Sequence, residues 1–159
     1  MTPLRVVAAI LVCLTFVVSA CNPTGNAPSG DTTSDQIRHD LVPLTKRFPA
    51  IGHPISATWM GGALGVQSDS RATVPGPSIY WIEAIIELEP STADTLRSKY
   101  APTASGQIPS LNEGLRTDLP TGHFLTSPEL DTALSNKDWR SAAYLHDGSN
   151  TLVMRSVDD

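Results

Sequence analysis

Alternating apolar runs, prolines that interrupt them, and helix-start signals between them predict an α+β fold: a small antiparallel sheet of about four strands backed by helices. The alternation is clearest in residues 78–89, SIYWIEAIIELE. On a strand, Tyr80, Ile82, Ala84, Ile86 and Leu88 share one face, while Ile79, Trp81, Glu83, Ile85, Glu87 and Glu89 share the other. A helix would set Glu83 and Glu87 one turn apart, but the β-branched and aromatic content and the flanking prolines favour the strand.

Taken in order, the folded region is expected over residues 35–159. It opens with a helix N-capped by Ser34, in which Ile37, Leu41, Leu44 and Phe48 recur at helical spacing. Pro43 lies inside that stripe and predicts a kink or two short pieces, since an interior proline costs about 3 kcal/mol. Residues 55–66 read as a strand in which Gly61-Gly62 marks a bulge, a bend or a close neighbour. Pro75-Gly76-Pro77 turns the chain into the 78–89 strand, and Pro90 ends that strand. Ser91 with Asp94 resembles a capping box opening a helix to about Tyr100.

Residues 101–126 carry Pro102, Pro109 and Pro120 and read as mostly irregular. A short helix is expected after the Ser110–Glu113 pair, with Leu111, Leu115 and Leu119 near one face. Ser127-Pro128-Glu129 places an N-cap, a first-turn proline and an acid at the positive end of a helix dipole. The runs 139–146 and 151–157, joined by Asp147-Gly148-Ser149-Asn150, predict a closing hairpin with a four-residue turn.

The residues before this region read differently. One cation at Arg5, an apolar run over residues 6–18 and the small residues Ser19 and Ala20 lead to Cys21. That run is shorter than the roughly 20 residues that span a bilayer. Val18-Ser19-Ala20-Cys21 resembles the cleavage and lipidation box of a bacterial lipoprotein precursor. The resemblance covers residues 1–21 and the tether after them. It implies removal of residues 1–20, fatty acylation of Cys21 with palmitate among the chains, and anchoring to the extracytoplasmic face of a bacterial cell membrane. It carries no information on the folded domain. Residues 22–34, NPTGNAPSGDTTS, hold no bulky apolar side chain and are expected to form a flexible tether. Its root-mean-square reach is roughly 20 Å, with a limit of about 45 to 50 Å.

Composition narrows the chemistry. The formal charge of −5 becomes −6 when Arg5 is removed. An acidic chain without basic clusters speaks against nucleic acid. Of the two cysteines, Cys13 lies in the removed segment and Cys21 carries lipid, so thiol catalysis and cysteine-ligated metal are excluded from the mature chain. His39, His53, His123 and His146 are scattered, with no HExxH, no calcium loop, no GxSxG elbow and no P-loop. No catalytic residue, metal or cofactor is assigned.

Glu87 and Glu89 on one strand face would stand near the carboxylate spacing of a glycosidase, but an exposed acidic face is the simpler reading. Trp81 and Glu83 form the candidate contact for a ligand or partner, because an indole beside a carboxylate can stack on a sugar or peptide while the carboxylate accepts a hydrogen bond. The leading expectation is a lipid-anchored binding or interaction module for an envelope protein or peptide. The alternatives are an envelope hydrolase gathering His146 or His123 with a serine or carboxylate, and a structural or regulatory lipoprotein of an envelope complex.

Cys21→Ser is expected to abolish incorporation of a radiolabelled or clickable palmitate and to leave the chain unprocessed or released from membranes. Continued acylation of that variant would refute the assignment.

Overall fold

The alternation in residues 78–89 becomes the second strand of a six-stranded sheet in a computed structural model that describes residues 36–64 and 79–158. In chain order the elements are α1 (Val42–Arg47), a 3₁₀ turn (Pro49–Ile51), β1 (Ser56–Leu64), β2 (Ile79–Glu87), α2 (Pro90–Tyr100), β3 (Thr103–Ala104), α3 (Glu113–Arg116), β4 (Phe124–Thr126), α4 (Pro128–Ala133), β5 (Trp139–His146) and β6 (Thr151–Asp158). The strands lie in the order β1-β2-β6-β5-β4-β3, every neighbouring pair antiparallel.

The fold is α+β, as its sequence predicts, but the sheet has six strands and not four. The two additions, β3 and β4, fall in the proline-punctuated stretch expected to be irregular. At two and three residues they are too short to show a period of two in sequence. They form because β5 offers β4 an edge at Phe124↔His146 and Leu125↔Leu145, and β4 offers β3 an edge in turn.

Both faces of the sheet are covered. On one, Ile82, Ala84, Ile86, Leu145, Leu152 and Met154 pack beneath α1, α2 and α4 through Leu44, Phe48, Leu96 and Leu130. On the other, Met60, Ile85, Phe124 and Val153 meet Leu111 and Leu115. These two leucines belong to a strap, residues 105–123, that crosses the sheet and contains α3. The parity read along β2 holds: Ile82, Ala84 and Ile86 face the helices, whereas Trp81 and Ile85 face the strap.

Beyond Phe124–Thr126, β4 no longer follows β5, and α4 finishes the open edge with side chains. Asp131 Oδ1 accepts from the Ala143 N–H at 2.7 Å, and Ser135 Oγ accepts from the Ser141 N–H at 2.9 Å. An edge strand left with unpaired polar groups is a template for pairing with another chain, and these bonds remove part of it. The Ser127-Pro128 signal explains the placement of α4: Ser127 Oγ accepts from the Leu130 N–H at 3.1 Å, and Pro128 occupies the first turn.

Three helix starts differ from expectation. Ser34 lies outside the described residues, and the first helix begins at Val42, with Leu41 at its N-cap and Pro43 in its first turn, where a missing N–H costs no bond and produces no kink. Residues 36–40 instead run extended beside β1. Arg38 exchanges two backbone hydrogen bonds with Trp59, its guanidinium lies 5.0 Å from the indole centroid, and Trp59 Nε1 donates to the Asp40 carbonyl at 3.0 Å. This tertiary contact outweighs the helical spacing of Ile37 and Leu41.

α2 starts at Pro90 after Glu89, one turn position ahead of the Ser91 box, because proline's fixed φ suits a first turn. In α3 the N-cap is Asn112 and not Ser110; its Oδ1 accepts from the Gly114 N–H at 3.2 Å. Gly61 marks a close neighbour and no bulge: the register runs unbroken from Ser56↔Glu87 to Leu64↔Ile79, and a Cβ at Gly61 would stand 2.9 Å from the Trp81 carbonyl oxygen. The closing hairpin forms as predicted, one residue longer at its end.

Leu115→Ala is expected to cost about 2 to 5 kcal/mol in urea unfolding, because Leu115 is fully buried beneath the sheet. Ile108→Ala on the same strap, where the side chain is 72% exposed, should change stability by no more than about 0.5 kcal/mol.

Candidate functional site

The strap face of the sheet carries three features in a line from one end to the other. At the end where β2 begins, Leu64 faces Ile79 across the β1–β2 pair, and Trp81 faces Val157 across the β2–β6 pair. Since directly opposed residues and alternate residues share a face, these four apolar side chains are contiguous. Leu64, Ile79 and Val157 are exposed large hydrophobics, and Trp81 is half-buried against the strap cluster. Tyr80, on the opposite face at the same end, is also exposed.

In the middle of the face stands Glu83, only 9% exposed. Its Oε1 accepts from Arg155 Nε at 3.0 Å, and its Oε2 accepts from the Asn112 N–H at 2.6 Å. Both oxygens are therefore used inside the fold: one neutralises the buried charge, the other fastens the strap just ahead of α3. Trp81 and Glu83 do share a face as expected, but Glu83 serves as an anchor for the strap and Trp81 as the inner margin of the apolar end.

At the far end, where β2 finishes, a chain of polar side chains joins three segments. His146 closes β5. Its Nε2 lies 3.1 Å from the Thr121 carbonyl and its Nδ1 lies 2.8 Å from Ser149 Oγ. Ser149 Oγ is 2.8 Å from Thr151 Oγ1, which donates to Glu87 Oε2 at 3.1 Å. Arg97 from α2 holds the turn from outside, donating to the carbonyls of His146, at 3.2 Å, and Ser149. The imidazole meets the Phe124 ring edge-on at 5.4 Å. Gly122, with φ +140°, permits this approach; a Cβ there would stand 2.6 Å from Nε2.

The sequence places His146 beside Asp147 at the end of the closing hairpin's first strand, where the structure also has it. Ser149 and Thr151 were not legible in sequence, although a histidine and a serine on either side of a four-residue turn carry the signal: the turn folds one back upon the other. Glu89 leaves the strand to cap α2, so no Glu87–Glu89 pair forms on one strand face. His39 Nδ1 lies 3.2 Å from the Ala57 carbonyl, far in sequence from the other histidines. Among the described residues, no group of three His, Cys, Asp or Glu side chains could hold a metal ion, and no helix is long and apolar enough to cross a membrane. A pocket of about 380 Å³ opens at the β4–β5 divergence, lined by Thr103, Gln107, Thr126, Asp131, Ala142 and Tyr144 among others; it does not include Ser149 or His146.

No family model, no curated protein and no solved structure matches this chain.

Glu83→Ala leaves the Asn112 N–H without its acceptor and is expected to cost about 1 to 3 kcal/mol relative to the unaltered chain, read in chemical denaturation.

Proposed function

We propose that this chain is a lipid-anchored, extracytoplasmic lipoprotein that acts as an interaction module, binding an envelope protein or peptide through the apolar end of its sheet. The observation that carries the reading is the contiguous group Leu64, Ile79, Trp81 and Val157, three of them exposed large hydrophobics at one end of the sheet. An exposed apolar patch on a folded domain is a feature of protein-contact surfaces. The chemistry it selects is a partner segment with apolar side chains, laid across the ends of β1, β2 and β6. The Arg5–Cys21 segment supports the membrane side of the reading, and residues 22–34 supply the reach. Two acyl chains hold a protein on a membrane stably where one does so marginally.

In-cell photocrosslinking from position 79 or 157, followed by mass spectrometry, tests this reading. A specific envelope partner is expected. Val157→Asp or Ile79→Lys should reduce its capture at least about tenfold, since a charge must be desolvated to enter an apolar contact. Tm should hold, because both residues are exposed. Capture unaffected by either variant would overturn the proposal.

A hydrolase is the second reading, favoured by one contact: Ser149 Oγ sits at 2.8 Å from His146 Nδ1, a nucleophile-to-base distance. A serine-directed fluorophosphonate should then label Ser149, and the label should be lost in Ser149→Ala.

A further inference from the structure

The outer edge of β1 is finished along its first half and open along its second. Backbone groups on a strand edge point outward at every second residue, and Trp59, bonded to Arg38 through both its N–H and its carbonyl, fixes which residues these are: Ala57, Trp59, Gly61 and Ala63. Thr58, Met60, Gly62 and Leu64 point the other way, to Ile85, Glu83, Trp81 and Ile79 of β2. The outward carbonyl of Ala57 lies 3.2 Å from His39 Nδ1, and both outward groups of Trp59 are taken by Arg38. There the cover ends. Gln36, which continued pairing would set opposite Gly61, makes no bond to it, and among the described residues nothing bonds to the outward N–H and carbonyl groups of Gly61 or Ala63. Both residues are half-buried and keep contact with solvent.

These open groups adjoin the apolar end of the sheet. Leu64 closes β1 opposite Ile79, and Gly62 lies opposite Trp81. Since Gly62 has no side chain, a residue laid beside it meets only bare backbone between itself and Trp81, an arrangement in which a bulky neighbour restores the burial that glycine forgoes. We infer that the β1 edge at residues 61–64 is a docking site for an extended peptide segment of the partner, which joins the sheet as a further strand. The inference rests on the interaction-module reading and adds how the partner is held. Two N–H and two carbonyl groups, repeated at a spacing of two residues, match the main chain of an extended peptide. Parity then sets the segment's pattern. Its residue opposite Ala63 bonds through the main chain and turns its side chain to the face of exposed Tyr80, where a polar group is tolerated. Its residues opposite Gly62 and Leu64 turn theirs to the face of Trp81 and Ile79, in the pairs where side chains approach more closely, and are apolar. The segment recognised is apolar, any residue, apolar.

Amide exchange of the full chain, read by NMR with and without the peptide acetyl-Thr-Val-Thr-Val-Thr-amide, tests the site. Without peptide, Gly61 and Ala63 are expected to exchange faster than Met60 and Gly62, which are bonded inward. At saturating peptide, exchange at Gly61 and Ala63 should slow at least about tenfold, and the same peptide N-methylated at its central threonine, both valines intact, should bind roughly tenfold more weakly, the effect of one lost hydrogen bond. Ala63→Pro removes one outward N–H at a place where an edge strand accepts proline, so Tm should hold while photocrosslinking to the envelope partner from position 79 falls at least about tenfold. No slowing at Gly61 and Ala63, or equal binding of the two peptides, would overturn the inference. Crosslinking that is lost in Val157→Asp but unchanged in Ala63→Pro would remove the edge and leave the interaction-module reading standing, whereas no crosslinking in any form would remove both. Self-association of the chain that Ala63→Pro abolishes would make a second copy the occupant and would likewise overturn the inference.

Discussion

The central strand β6 is the constraint on which the rest of the structure depends. It is hydrogen-bonded to β2 along one edge and to β5 along the other, and its side chains are buried on both faces: Leu152 and Met154 toward the helices, Val153 toward the strap. The β1–β2 hairpin and the β5-β4-β3 half touch as one sheet only through it. A strand that follows all the others in sequence thus joins the two halves, and neither half completes its core until β6 is in place. Such non-local pairing carries a large loop-closure cost that burial must offset. Ser156 of β6 is 1% exposed and its hydroxyl is bonded to Ser141 Oγ at 2.7 Å, so its burial leaves no hydrogen bond unmade.

Because β6 is occupied on both edges, the free edges of the sheet are the outer ones, and both are modified. Residues 36–40 lie along part of β1, held by Arg38 and Trp59, and β3 is only two residues long. The β5 edge beyond β4 is filled by Asp131 of α4 and Ser135 just after it. With the edges treated this way, the exposed apolar side chains Leu64, Ile79 and Val157 lie on a face, at the end where the strap does not reach.

The strap runs from the middle of the sheet to the polar hairpin end. It is fastened at mid-sheet through Glu83 and at the hairpin through His146, and the leucines between these points supply the strap-side core.

The sequence by itself determined the α+β class, the parity of β2, the start of α4, the end of α2 and the closing hairpin. Each rests on local physics: alternation in 78–89, the Ser127-Pro128 cap, the turn at Asp147-Gly148. The lipoprotein-like segment is likewise local, a matter of residues 1–21 alone. Only the tertiary structure decided what depends on a partner distant in the chain. β3 and β4 exist because β5 offers an edge. Residues 36–40 are extended because Trp59 binds them. Glu83 became an anchor because Asn112, 29 residues on, donates to it. His146 became part of a network because Glu87, in a different strand, ends the chain of hydroxyls that begins at Ser149. Spacing along a sequence reports which residues share an element's face, whereas the charge and hydrogen-bond partners of a side chain are set by which elements the sheet order makes neighbours.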